Sequence, residues 1–432
     1  MKMANMDDYF DVVIVGTGAA GLYCALNLPA RYRILLLTKQ KADESDSFLA
    51  QGGICMQHGE ADYRPFFDDT MRAGHYENNP ATVDLMIRSS NSIIRDLVRR
   101  GVRFARDDHG ALRFTREGAH SRPRILFHED ITGHEITQTL LNEVLRCENI
   151  ELREHTTLLD FFADASACGG VIAAGPDGEP RAIGAGAVVL ACGGIGGLYK
   201  NSTNFPHITG DAIAMALRHG VACEHLDYIQ IHPTTLYSHR KGRRFLISES
   251  VRGEGALLLD KNGNRFTNEL QPRDVVSAAI HAQMEKDSTD HVWEDMRPIG
   301  EAAIREHFPN ILERCEEEGY DPIHEPIPVV PAQHYFMGGI MADLSSRTAL
   351  PRLYACGETC CNGVHGRNRL ASNSLLESLV FAQRAADDIL YGEPPVFTGD
   401  KPDLAPYREQ EPLFAAYRQE VLTAIERSKN HE

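Results

Sequence analysis

The chain has 432 residues, 43% of them hydrophobic and 24% charged, and a formal net charge of −17. At roughly 100–200 residues per domain this length suggests two or three domains, with enough apolar material for a large core. The acidic balance argues against a general nucleic-acid or anionic-membrane surface, so any anion must be caught by a few local cations.

No apolar run approaches the ~18 residues of a membrane span. The start, "MKMANMDDYF", carries acidic residues and leads straight into a strand, unlike a signal peptide. The ten cysteines lack CxxC spacing, and most sit in apolar context, such as Cys24, Cys192 and Cys356. They read as reduced thiols of a cytoplasmic protein. The adjacent pair Cys360–Cys361 is a candidate redox pair, although neighbours in sequence rarely meet disulfide geometry.

In chain order, "DVVIVGTGAAGLYCALNL" predicts a strand over 11–15, a glycine turn and an apolar helix. With a second strand at 34–37 it forms the βαβ opening of a doubly wound sheet. The turn Gly16-Thr17-Gly18-Ala19-Ala20-Gly21 is a GxGxxG that follows a strand and opens a helix, the context in which a backbone approaches a pyrophosphate. An acidic residue about 20 positions on should bind a ribose. Thr38-Lys39 stands there instead, so NAD is not the indicated dinucleotide. The next segment, "DESDSFLAQGG", is a polar loop with an unusual ending, Gln51-Gly52-Gly53.

Helices are predicted in "DYRPFFDDTMRAG" and in "NPATVDLMIRSSNSIIRDLVRRG", the latter capped by Asn79 with Pro80 at its first position. Short β pieces follow over 102–127, then a helix over 132–147, strands over 150–162 and 170–174, and a buried strand in "AGAVVLACGGIGG". From 226 to 335 the alternation breaks into a mixed α+β insert, whose proline-rich end "EPIPVVP" reads as a crossing segment between domains. "LPRLYACGE" returns to the strand-plus-glycine style, and "SNSLLESLVFAQRAADDIL" is an amphipathic helix.

Two features point toward a flavin. Glu358 follows a buried strand, where it can accept from a sugar-like hydroxyl chain. Ser372, Asn373 and Ser374 open a helix, whose N-terminus favours negative charge such as that of a reduced flavin; ordinary N-capping is the competing reading. Arg252, Arg273, Arg369, His232 and His334 lie in apolar or glycine-rich context. Singly each fits a salt bridge or a core histidine. Together, in an acidic chain, they fit capture of a dicarboxylate, because arginine forks suit carboxylates.

The segments "GTGAAGL", "AQGGI", "TREGAHS", "TGDAIAMA", "IQIHPTTL", "SESVRGEGA", "PRDVVSAAI", "PAQHYFMGGI", "YACGE" and "VHGRNRLASNSLLESLV" run through nearly the whole chain. In them the sequence resembles the succinate dehydrogenase and fumarate reductase flavoprotein family, most closely its L-aspartate oxidase branch. The resemblance implies an α/β fold, a Rossmann-like FAD-binding domain interrupted by an α+β capping domain. Residues 1–225 and 338–400 would form the FAD-binding domain, 226–337 the cap, and 401–432 a short helical tail where typical members carry a further helical domain.

It implies FAD contacts from Gly16, Thr17, Gly18, Ala19, Ala20, Gly21, Lys39, Ser47, Gln51, Gly52, Gly53, Asp211, Glu358, Ser374 and Leu375. The implied substrate site is Glu117, Gln230, His232, Ser248, Arg252, His334 and Arg369. Arg273 matches a proton-donating arginine of the family, with Glu249 and Arg252 in an associated relay. Asp46 replaces the histidine that carries covalent flavin in the dehydrogenases, so FAD is expected to be non-covalent. Glu117 stands where the dehydrogenases have an apolar residue, and a carboxylate there suits an α-ammonium. "ASNS" in place of "GGNS" leans the same way, and Ser248 keeps the hydroxyl of a usual threonine.

The implied activity is oxidation of L-aspartate to iminoaspartate in NAD biosynthesis. O2 or fumarate would reoxidise the flavin, and quinolinate synthase would use the product. The alternative is a soluble fumarate reductase or succinate dehydrogenase-like flavoprotein. No metal site, nucleic-acid partner or membrane association is expected.

Overall fold

The computed structural model describes residues 8–240 and 242–430; most of the opening segment, expected to be no signal peptide, lies outside them. Its main sheet grows from strands that are apolar at nearly every position. Ile34–Leu37 is buried throughout, as required where helices cover both faces of a parallel sheet. Seven strands take part. Six run in the order Ile150–Arg153, Ile34–Leu37, Tyr9–Val15, Pro180–Leu190, Cys168–Ala174, Thr157–Ala163, and Leu353–Ala355 lies beside Pro180–Leu190. The pairs around Tyr9–Val15 and the Leu353–Ala355 pair are parallel, and the last two strands of the order are antiparallel additions.

The register brings three strand ends level. Leu190 pairs with Val15 on one side and Ala355 on the other. The chain therefore leaves three neighbouring strands at one edge, through Gly16 (φ 113°), Gly193 (φ 75°) and Gly357 (φ 66°). The turns open onto a common crevice beyond the carboxyl ends of the strands, where open α/β sheets bind ligands. At Gly16 the packing is absolute, since a Cβ would fall 2.0 Å from the Ala191 carbonyl oxygen.

Helices Ala19–Asn27 and Asn373–Tyr391 pack together on one face of the sheet. On the other, helix Gln410–Lys429 lays Tyr417, Val421 and Ile425 against helix Asp211–Arg218. Helix Pro80–Arg100 begins as expected, with the Asn79 side chain accepting from Ala81 N.

Two expectations need correcting. The strand predicted over 150–162 is two strands, Ile150–Arg153 and Thr157–Ala163. His155 at φ 49° turns the chain between them, while Glu154 accepts from Ala42 N. The proline-rich segment is not a crossing segment. Ile327–Phe336 is an inner strand of a four-stranded antiparallel sheet ordered Ile229–Leu236, Ile327–Phe336, Val292–Asp295, Leu257–Leu259. Pro331 is tolerated because it falls in the register shift between the His232–Ala332 and Thr235–Val330 pairs. This sheet and helix Arg273–Asp287 enclose a separate apolar core that includes Val251, Leu258, Val276, Ile280 and Ile311. No helix among the described residues is long and apolar enough to cross a membrane. Cys360 and Cys361 are both free thiols, as are the other eight cysteines.

Candidate active site

The crevice continues into an elongated cleft with about 1690 Å³ of empty space, part of it open to solvent. Four helices begin at its wall, at Ala19, Asp211, Arg273 and Asn373. Each presents unpaired amides and a positive dipole end, so the cleft attracts anionic groups despite the chain's net charge.

At the crevice end, Gly16, Thr17, Gly18 and Ala20 line the cleft, while Ala19 and Gly21 pack behind them. Ser47 also lines the cleft, and its Oγ accepts from Ala19 N at 3.0 Å, holding the first turn of that helix. Lys39 and Asp211, expected separately, form an ion pair of 2.6 Å, and Lys39 Nζ also reaches the His207 carbonyl at 3.1 Å. That pairing explains a lysine where the generic fingerprint has an acid.

The loop ending in Gln51-Gly52-Gly53 forms the next stretch of wall. It is pinned from behind by Gly133 N to the Ala50 carbonyl (2.8 Å) and by Thr132 Oγ1 to the Gly52 carbonyl (3.0 Å). Gly52 permits a close approach, since a Cβ there would meet Glu117 Oε1 at 2.3 Å. Two buried carboxyls, Asp46 and Glu358, line this stretch. Burial pushes Asp46 up to about 7, against the lowering effect of its hydrogen bond from Phe205 N. Burial and Asp46 hold Glu358 well above the usual carboxylate range.

Whether FAD fits can be judged from the polar atoms left over. Thr17 Oγ1, Asp46 Oδ2 and Gln51 Oε1 are buried, line the cleft and have no protein partner. Buried polar groups are nearly always satisfied. A long ligand rich in hydroxyls, phosphates and ring heteroatoms would satisfy these, and the helix N-termini suit its pyrophosphate. Ser374 and Leu375, at the start of helix Asn373–Tyr391, line the same wall. The residues present fit FAD.

The far end gathers the cations. Arg273 Nε donates to Glu249 Oε2 at 2.5 Å, and its NH1 donates to Gln230 Oε1 at 2.8 Å. Gln230 Nε2 in turn donates to the Arg369 carbonyl at 2.8 Å, so Gln230 ties the two arginines together without lining the cleft itself. Arg369 donates to Ser374 Oγ at 2.7 Å and stacks over the Tyr335 ring at 4.4 Å. Burial and Arg273 lower its guanidinium to about 10, and its Nε has no partner. His334 lines the cleft against Thr203 Oγ1 at 2.8 Å, and His232 packs 5.1 Å behind it. Burial and Arg273 hold both imidazoles well below their ordinary pKa, so both are neutral.

Glu117 accepts from Ser250 Oγ at 2.9 Å and Ser372 Oγ at 2.6 Å; Arg273 is near enough to act on it through space, but no cation among the described residues forms a salt bridge with it. Burial and Glu249 raise its carboxyl. Burial would raise Glu249 too, but Arg273 and Arg252 outweigh it and hold that carboxyl below its ordinary value. Ser248 lines the cleft, with its Oγ accepting from Ser250 N at 3.2 Å. Arg252 is not brought to the cleft. It is 2% exposed, with NH2 3.8 Å from Glu249 Oε2 and NH1 donating to the Glu269 carbonyl. Sequence reasoning missed Thr203, Ser250, Ser372 and Tyr335 as partners of site residues. Ser250, Ser372 and Tyr335 stood inside quoted motifs, whereas nothing local marks Thr203. Among the described residues no group of three or more His, Cys, Asp or Glu is set to hold a metal ion.

Known proteins resemble this chain over most of its length. The FAD binding domain family matches residues 11–375. L-aspartate oxidase of Clostridium perfringens is 48% identical over 88% of this chain and 86% of its own length. That of Nostoc sp. is 44% identical over 98% of this chain and 76% of its own. Among solved structures, a chain of E. coli quinol fumarate reductase superposes with a TM-score of 0.83 at 31% identity, covering 95% of this chain and 74% of that one. Sdh1 of Mycobacterium smegmatis gives 0.76 at 30% identity, covering 95% and 72%.

Proposed function

The chain belongs to the L-aspartate oxidase family of FAD-binding flavoproteins, and we propose that its cleft oxidises L-aspartate to iminoaspartate, the first step of NAD biosynthesis. Bound FAD supplies the two-electron acceptor, and O2 or fumarate takes the electrons onward. Residues 226–337 act as the cap over an FAD-binding domain formed by 1–225 and 338–400, with 401–432 as a helical tail.

Arg369 and Arg273, with His334, hold the two substrate carboxylates, and His232 backs His334 from behind. The arginines supply charge and the neutral His334 imidazole supplies a hydrogen bond. Arg273 is a guanidinium and a poor base, so its part is to stabilise developing charge or to deliver a proton when fumarate is bound. Glu249 and Arg252 stand behind it as a route for that proton. Gln230 and Ser248 keep the clamp in register. Gly16 to Gly21, Lys39, Ser47, Gln51 to Gly53, Asp211, Glu358, Ser374 and Leu375 hold the cofactor. Asp46 leaves no imidazole for a covalent bond, so the FAD is dissociable.

The observation that carries the aspartate reading is Glu117. A buried carboxylate with two hydroxyl donors and no ion-pair partner is a costly group to maintain. An α-ammonium supplies the missing charge, and succinate has none. We further infer a cytoplasmic enzyme, for which ten free thiols suit a reducing compartment. Its water-sensitive imine product is passed on to quinolinate synthase.

The test is anaerobic mixing of the purified yellow protein with L-aspartate. The flavin absorbance should bleach, and acid precipitation should release all flavin to the supernatant. Bleaching by succinate but not by aspartate would sink this reading in favour of a succinate dehydrogenase-like enzyme.

A further inference from the structure

Aspartate oxidation in this cleft, on which the inference rests, needs Arg369 and Glu117 in a fixed relation. The residue that sets it is neither a substrate nor a cofactor contact. His120 is 6% exposed and lies between Arg124 and the main chain that follows Arg369. Its Nδ1 is 2.8 Å from Arg124 NH1, and its Nε2 is 3.0 Å from the Ala371 carbonyl oxygen. A guanidinium only donates, so Nδ1 accepts. A carbonyl only accepts, so Nε2 carries the proton. The two contacts select one neutral tautomer. Burial and Arg124 push the imidazole pKa down to about 4, outweighing Asp69 and Glu249, so that tautomer persists at neutral pH.

The foundation is rigid. Arg124 is fully enclosed and pairs with Asp62 at 3.0 Å and Asp69 at 2.8 Å. Asp69 also accepts from Ser121 N and Oγ. Above it, the supported chain is strained. Ser372 has φ 61°, a left-handed conformation unfavourable for a residue with a Cβ. Its carbonyl accepts from Cys55 N at 3.0 Å and its hydroxyl donates to Glu117 at 2.6 Å. The turn 117–120 thus grips two consecutive residues, Ala371 through His120 and Ser372 through Glu117. Arg369 and Ser374 flank that grip.

We propose that His120, standing on Arg124, Asp62 and Asp69, is a positioning residue that locks the Leu370–Ser372 turn and thereby fixes Arg369 and Glu117 relative to the substrate. Its effect is on geometry, and small misplacements of binding groups weaken binding and turnover steeply.

The test titrates the FAD-loaded protein with malonate, a dicarboxylate with no adjacent carbon pair to dehydrogenate, following the flavin spectrum. kcat and KM for L-aspartate are measured alongside. His120→Leu should raise the malonate Kd and the aspartate KM about tenfold, the scale of one buried hydrogen bond. His120→Gln should stay within about threefold of wild type, because its carbonyl can accept from Arg124 and its amide can donate to Ala371. His120→Glu keeps the Arg124 contact but has no proton for the carbonyl, so it should resemble His120→Leu. Wild-type behaviour of His120→Leu, or His120→Gln as poor as His120→Leu, overturns the proposal. If His120→Leu does not fold, equal binding by His120→Glu and His120→Gln overturns it. A wild type indifferent to malonate and aspartate removes the functional reading, and the inference with it.

Discussion

In the proposed substrate site Glu117 and Arg369 carry opposite halves of the recognition problem, and each makes its own prediction. Burial and Glu249 raise the Glu117 carboxyl, so the group takes up its proton at a higher pH than it would in water. A raised pKa means the charged form needed for an ammonium is lost as pH falls through that raised value. We therefore expect kcat/KM for L-aspartate to show an acid limb, displaced upward from that of a solvent-exposed glutamate. Glu117→Gln should abolish that limb and lower kcat/KM by roughly 10- to 100-fold, the scale of one charge-assisted contact. An unchanged pH profile would count against the assignment. Arg369→Ala should raise the aspartate KM by a comparable factor of roughly 10–100, since it removes a two-point carboxylate partner. Its FAD should remain bound, because the loop and helix contacts to the cofactor are left standing.

At the scale of elements, the strand Val292–Asp295 contains an anomaly. Glu294 is wholly buried, and neither carboxylate oxygen has a partner among the described residues. Burial pushes it up to about 8, with Arg252 only partly offsetting this. The folded pKa lies above the unfolded value of about 4.3. Its contribution is therefore intact below the unfolded value and is lost as pH rises through the folded one. Glu294→Leu should raise the thermal midpoint, by more at pH 9 than at pH 5. A pH-independent shift would mean the carboxyl is satisfied in solution. The neighbouring strand Ile327–Phe336 shows why local rules mislead: two prolines inside it suggested a linker, yet a register shift absorbs one of them.

At the scale of the whole molecule, the cofactor cleft is walled by segments from almost the full chain, from Val15 to Ser378. Filling it should stabilise the assembly as a unit by mass action. With free FAD at one hundred times its Kd, the expected gain is about 2.7 kcal/mol, readable as a rise in denaturation midpoint over the apoprotein. Identical midpoints with and without FAD would contradict a dissociable cofactor that binds only the folded state.

The candidate groups could be read from the sequence alone: the glycine turn after a buried strand, the loop Gln51-Gly52-Gly53, the arginine and histidine set, and a carboxylate at 117. These were legible because each lies in a short segment whose residue types are meaningful together. Only the tertiary structure decided which of them meet. Lys39 finds Asp211 across 172 positions, Gln230 ties Arg273 to Arg369, and Arg252 withdraws behind Glu249. The break at His155 and the pairing of His334 with Thr203 were equally invisible. The physical reason is the same in each case. Local patterning fixes which groups a segment offers, whereas long-range packing fixes the distances and the burial on which their hydrogen bonds and charges depend.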